Sequence, residues 1–105
     1  MIKIRIQKDH DYINQLIVKG HASAADAGED LICAGVSCVC IGMLNALDEL
    51  CGDEPMSLTC DDGYVEISDV THAYNTQLLL KTLVVQLKAI EQYNPKFIKI
   101  TIQEV

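Results

Sequence analysis

Residues 1–7 alternate, with Ile2, Ile4 and Ile6 on one side and Lys3, Arg5 and Gln7 on the other. This period of two predicts a strand with one solvated face. A polar Lys8-Asp9-His10-Asp11 turn leads into a second strand-like run over 12–19. There Leu16 and Val18 face one way and Gln15 and Lys19 the other, so the pair reads as a hairpin that stops at Gly20-His21. From Ala22 to Glu29 the residues are small and carry neither period, which predicts a loop. From about Asp30 the apolar positions Ile32, Val36, Val39, Cys40, Met43, Leu47 and Leu50 recur at helical spacing, and Asp30 suits the N-cap. This helix stops near Gly52, before Pro55. Asp61-Asp62-Gly63 between the runs 56–60 and 64–68 predicts a second hairpin, because Gly tolerates positive φ. Leu78, Leu79, Leu83, Leu87 and Ile90 mark a second helix from about Asn75 to Tyr93, and Phe97 to Gln103 alternates as a last strand. The expected fold is α+β in the order ββαββαβ: a single, mainly antiparallel sheet with two helices packed on one face.

Opposite the core stripe of the first helix lie Ala34, Cys38, Ile41, Gly42 and Asn45, a small and mostly apolar surface where an amphipathic helix ordinarily carries charge. That surface is expected to be covered, either by the second helix or by another copy of the chain.

Length and charge narrow the picture. The 105 residues are half apolar, without repeats or a Pro/Ser-rich linker, which suits one domain over 1–105. Fifteen acidic side chains against eight basic ones give a net charge of −7. This argues against direct nucleic-acid binding, which needs clustered Lys and Arg, and favours a basic partner. The N-terminus shows no secretory pattern, and no uninterrupted apolar run reaches the ~18–20 residues of a membrane span. Five cysteines, an odd number, in a chain without an export signal point to the cytoplasm.

The candidate chemistry sits at the two ends of the small-residue loop, where Gly20-His21-Ala22 and Gly28-Glu29-Asp30-Leu31-Ile32-Cys33-Ala34-Gly35-Val36-Ser37 place an imidazole and a thiol. With Asp30 as cap, Cys33 would fall in the first helical turn. Unpaired N–H groups and the positive end of the macrodipole there favour an anionic sulfur and could hold an oxyanion. Ser37 lies one turn on, on the same side. The plain structural alternatives are a packing cysteine, a strand-end histidine and a simple cap. Cys38 and Cys40 diverge by roughly 160° around the helix and form no CxxC pair. Cys40 and Cys51 fall near the core stripe, Cys60 is ambiguous, His10 reads as solvated, and His72 is an alternative base. Asp53-Glu54 and Asp61-Asp62 read as turn chemistry, and no metal set or cofactor motif stands out.

Gly20-His21-Ala22 followed by Gly28-x-Asp30-x-x-Cys33-Ala34-Gly35-Val36-Ser37 resembles the paired motifs of the ribosomal-processing cysteine protease family, Prp, including the twelve-residue step from His to Cys. The resemblance covers the whole chain. It implies that His21 is the general base and Cys33 the nucleophile, with Asp30 and Ser37 in supporting positions. It further implies that the loop Ala22, Ser23, Ala24, Ala25, Asp26, Ala27, Gly28 and Glu29 orders over a peptide. The substrate implied is the N-terminal extension of a basic large-subunit ribosomal protein, number twenty-seven. Homodimerisation is implied too, and no cofactor. Two other classes compete: a non-catalytic acidic module that binds a basic ribosomal protein or assembly factor, and a thiol redox sensor, which would need a resolving cysteine near Cys33.

Overall fold

The computed structural model describes residues 1–20 and 27–105, and of residues 27–30 the backbone alone. Its elements follow the expected order: β1 (Ile2–Asp9), β2 (Tyr12–Lys19), α1 (Ala27–Leu50), β3 (Ser57–Asp61), β4 (Tyr64–Ser68), α2 (Tyr74–Tyr93) and β5 (Ile98–Glu104). The five strands form one sheet in the order β3-β4-β2-β1-β5. The sheet is mixed: three pairings are antiparallel, and β5 lies parallel to β1, in register from Ile2↔Ile98 to Lys8↔Glu104. A parallel neighbour cannot be reached by a tight turn, and α2 supplies the crossover from the β4 side of the sheet.

The alternation in β1 places Ile2, Ile4 and Ile6 in the core, where they meet Leu16 and Val18 of β2, Val65 and Ile67 of β4, and Ile98 of β5. Both helices pack on this face. Helix α1 contributes Ile32, Val36, Cys40, Met43 and Leu47, and α2 contributes Leu80, Leu83 and Leu87. Each such side chain, fully buried, is worth roughly 1.5–3 kcal/mol of transfer free energy. By length and composition alone, Leu31–Leu50 is apolar enough to cross a membrane, with a mean hydropathy of 1.8. In the fold its core stripe is spent on the sheet.

Two departures from strict periodicity have local causes. On β2, Ile13 is buried together with Leu16 and Val18, although it lies out of phase with them. The register with β1 slips between Gln7↔Gln15 and Lys8↔Ile13, leaving Asn14 as the extra residue of a bulge that turns Ile13 inward. Gln77, buried on α2, completes the bulge. Its Oε1 accepts from the Ile13 N–H at 2.8 Å, and its Nε2 donates to the Ile13 carbonyl at 2.9 Å and to the Thr71 carbonyl at 3.0 Å. Helix α1 also begins earlier than the capping pattern suggests. Ala27, Gly28 and Glu29 are helical, so they belong to α1 and not to a loop, and Asp30 lies inside the helix instead of capping it. Ala and Glu are strong helix formers and outweigh one Gly near the helix start.

Candidate active site

The Cys33 side chain is half-buried, at the margin of the core stripe of α1, and opens onto a cleft of about 160 Å³. The floor is the end of β2, one wall is α1 with Cys33 and the exposed Ser37, and the facing wall is the β3–β4 turn with Cys60, Asp61, Asp62 and Gly63. Ser37 follows Cys33 by four residues, so the two share a helix face as the sequence predicts.

Gly20 ties these walls together. Its N–H donates to the Gly63 carbonyl at 2.9 Å, joining the exit of β2 to the tip of the second hairpin. It adopts φ +101°, and a Cβ there would stand 2.5 Å from the Met1 carbonyl oxygen, so only glycine fits. The structural reason for the glycine of Gly20-His21-Ala22 is therefore a crowded left-handed exit from the strand.

His21 and the loop residues Ala22, Ser23, Ala24, Ala25 and Asp26 lie outside the described residues, as do the side chains of Ala27, Gly28, Glu29 and Asp30. Two expectations about the remaining chemistry change. Cys33 is the seventh residue of α1, one turn deeper than expected, because the helix starts at Ala27. The influence of a helix terminus fades within its first turn, so the macrodipole contributes little at Cys33. His72 lies away from this cleft. Its ring stacks on Tyr12, with centroids 3.8 Å apart and an interplanar angle of 1°, at the start of β2. That is about 26 Å along the strand from Gly20, at roughly 3.3 Å per residue.

The other cysteines divide by burial. Cys40 and Cys51 are buried, as helical phase predicts, while Cys38 and Cys60 are exposed. Burial pushes the Cys40 thiol up to about 11, and the nearby Cys60 adds to the rise. Asp61-Asp62-Gly63 makes the predicted turn but also lines the cleft. Sequence reasoning missed that role, since only the pairing of β4 with β2 brings the turn beside Cys33. Among the described residues, no group of three His, Cys, Asp or Glu side chains is placed to hold a metal ion.

Residues 1–99 match the family model of cysteine protease Prp. The chain is 36% identical to the ribosomal processing cysteine protease Prp of Bacillus subtilis (strain 168), covering 88% of this chain and 88% of that protein. It is 37% identical to the protein of the same name from Staphylococcus aureus (strain Mu50), over 82% and 84% of the two chains. The S. aureus ribosomal processing protease Prp, solved with a covalently linked product peptide, superposes with a TM-score of 0.85 at 32% identity, covering 98% of this chain and 100% of that one. SMU.848 from Streptococcus mutans gives a TM-score of 0.86 at 28% identity, with 100% and 96% covered.

Proposed function

The chain belongs to the Prp family of cysteine proteases, and we propose that it removes the N-terminal extension of a basic large-subunit ribosomal protein, number twenty-seven, using His21 and Cys33 as a catalytic dyad. Membership of a protease family sets aside the non-catalytic acidic module. The observation that carries the residue assignment is the setting of Cys33: a half-buried thiol facing a cleft, beside the strand exit from which Gly20 leads into His21. The S. aureus relative, a processing protease solved with a covalently linked product peptide, is in keeping with a covalent mechanism.

His21 takes the proton of Cys33 as the sulfur adds to the scissile carbonyl carbon. The imidazolium then protonates the departing amine as the C–N bond breaks, leaving a thioester on Cys33. A water, deprotonated by His21, adds to the thioester carbonyl, and the thiolate leaves and recovers its proton. Asp30 and Ser37 support this site, with the Ser37 hydroxyl one turn from the sulfur and able to hydrogen-bond to substrate. Of the loop expected over Ala22 to Glu29, residues 22–26 order over the peptide, since Ala27, Gly28 and Glu29 already form the first turn of α1. Asp61 and Asp62 on the opposite wall supply negative charge toward a basic substrate.

The active form is a homodimer in the cytoplasm. Helix α2 leaves Ala34, Cys38, Ile41, Gly42 and Asn45 exposed, and Ile41 and Leu31 are 48% and 75% accessible. Exposure of this face supports a second copy as its cover.

The test is cleavage of a peptide spanning the extension junction. Wild type cleaves it; Cys33→Ala, Cys33→Ser and His21→Ala do not. Retained turnover in both Cys33 variants overturns the nucleophile assignment. An unprocessed N-terminus on the ribosomal protein in cells lacking this chain, and a processed one in cells with it, identifies the substrate.

A further inference from the structure

The face of the sheet turned away from the helices is basic. Lys3, Arg5, Lys19 and Lys99 all project from it, and all are exposed. They are half of the eight basic residues in a chain of net charge −7. Register lines them up: Lys19 pairs with Lys3 and Lys3 with Lys99, so three ammonium groups stand in one row across β2, β1 and β5. At about 4.8 Å between strands the row spans roughly 10 Å, and Arg5 stands about 6.8 Å along from Lys3.

Like charges directly opposite each other in a sheet destabilise it. Here the repulsion is not relieved from within: among the described residues none of the four side chains is ion-paired. Glu66, the acid closest in register, instead accepts hydrogen bonds from the Tyr64 and Ser68 hydroxyls. Ile17, between Arg5 and Glu66 in register, is only 6% exposed although no helix covers it, so the aliphatic stems of its neighbours shield it while their charged ends reach solvent.

We propose that this face binds the phosphate backbone of single-stranded RNA. Charge complementarity demands a polyanion, and the composition of the patch separates RNA from an acidic protein. Lysine and arginine attract phosphate and carboxylate alike, as point charges or as a bidentate fork, so the choice of RNA rests on the groups beside the cations. Thr101, Gln7 and Gln103 on the same face offer hydroxyl and amide groups to sugars and base edges. Tyr64 at the end of the lysine row, with the Lys19 ammonium 5.8 Å from its ring centroid, offers a surface for base stacking. An open sheet face suits an unpaired strand better than a duplex groove. The acidic total argues against nucleic acid only for the chain taken as a whole. The inference rests on these cations and is independent of the dyad.

The test is fluorescence anisotropy with a labelled twelve-nucleotide oligouridylate at low salt. Wild type and Cys33→Ala are expected to bind alike. The log–log salt slope should approach −3, since each neutralised phosphate of a single strand contributes about −0.7. The triple variant Lys3→Gln, Lys19→Gln and Lys99→Gln is expected to bind at least tenfold more weakly with a slope reduced by about 2, while Lys81→Gln with Lys88→Gln on α2 binds as wild type. Unchanged cleavage of the short junction peptide reports that the triple variant is folded. No binding by wild type, equal weakening by the α2 pair, or equal displacement of the RNA by polyglutamate of matched charge overturns the proposal. A failed dyad with intact RNA binding, or the converse, separates the two readings.

Discussion

The backbone N–H of Gly20 donates to the Gly63 carbonyl at 2.9 Å, pinning the exit of β2 to the tip of the β3–β4 hairpin. One hydrogen bond thus connects the residue preceding His21 with the wall opposite Cys33. Gly20→Ala puts a Cβ 2.5 Å from the Met1 carbonyl at a φ of +101°. The strain is expected to cost about 1–3 kcal/mol, read as a lower urea midpoint. Because the chain must move to relieve it, cleavage should fall along with stability.

Gln77 is a buried polar side chain with its amide satisfied, and Thr76 beside it is buried with Oγ1 unpaired among the described residues. Opposite outcomes follow. Gln77→Leu strands the Ile13 N–H and carbonyl at the bulge and should destabilise by about 1–3 kcal/mol. Thr76→Val removes only an unsatisfied hydroxyl and should be neutral or slightly stabilising in the same urea titration.

Mass spectrometry after brief iodoacetamide treatment should find Cys33 labelled first near pH 6, ahead of the exposed Cys38 and Cys60, and its rate should fall in His21→Ala. Cys40 should stay unmodified even at pH 8. With its thiol pushed up to about 11, the protonated form dominates at every lower pH and the thiolate is about a thousandth of the total. Labelling of Cys40 at pH 8 would report local opening of α1.

The exposed face of α1 gives a test of self-association. A Cβ at Gly42 would meet nothing within 4 Å in the single chain, so Gly42→Glu should fold normally. Sedimentation equilibrium is expected to give a dimer for wild type and a monomer for this variant. A variant that stays dimeric moves the interface elsewhere.

The sequence by itself determined the element order, the two hairpins and most of the core, and by motif and spacing it nominated His21 and Cys33 as the dyad. These features rest on local periodicity or on short motifs, and the side chains of β1 and most of those on both helices obey that periodicity, with Leu50 and Leu78 exposed against expectation. Tertiary structure decided what depends on which strands become neighbours. The placement of β5 beside β1 made the sheet mixed and aligned Lys99 with Lys3 and Lys19. The pairing of β4 with β2 carried Asp61 and Asp62 to the cleft. The bulge at Asn14 turned Ile13 inward and gave Gln77 its role. The extra helical turn from Ala27 moved Cys33 away from the helix terminus, because helix starts are set by a balance of propensity and packing that a capping pattern only approximates. Net charge was legible from composition, but its separation into a basic sheet face and an acidic remainder was not, since register between strands distant in sequence sets it.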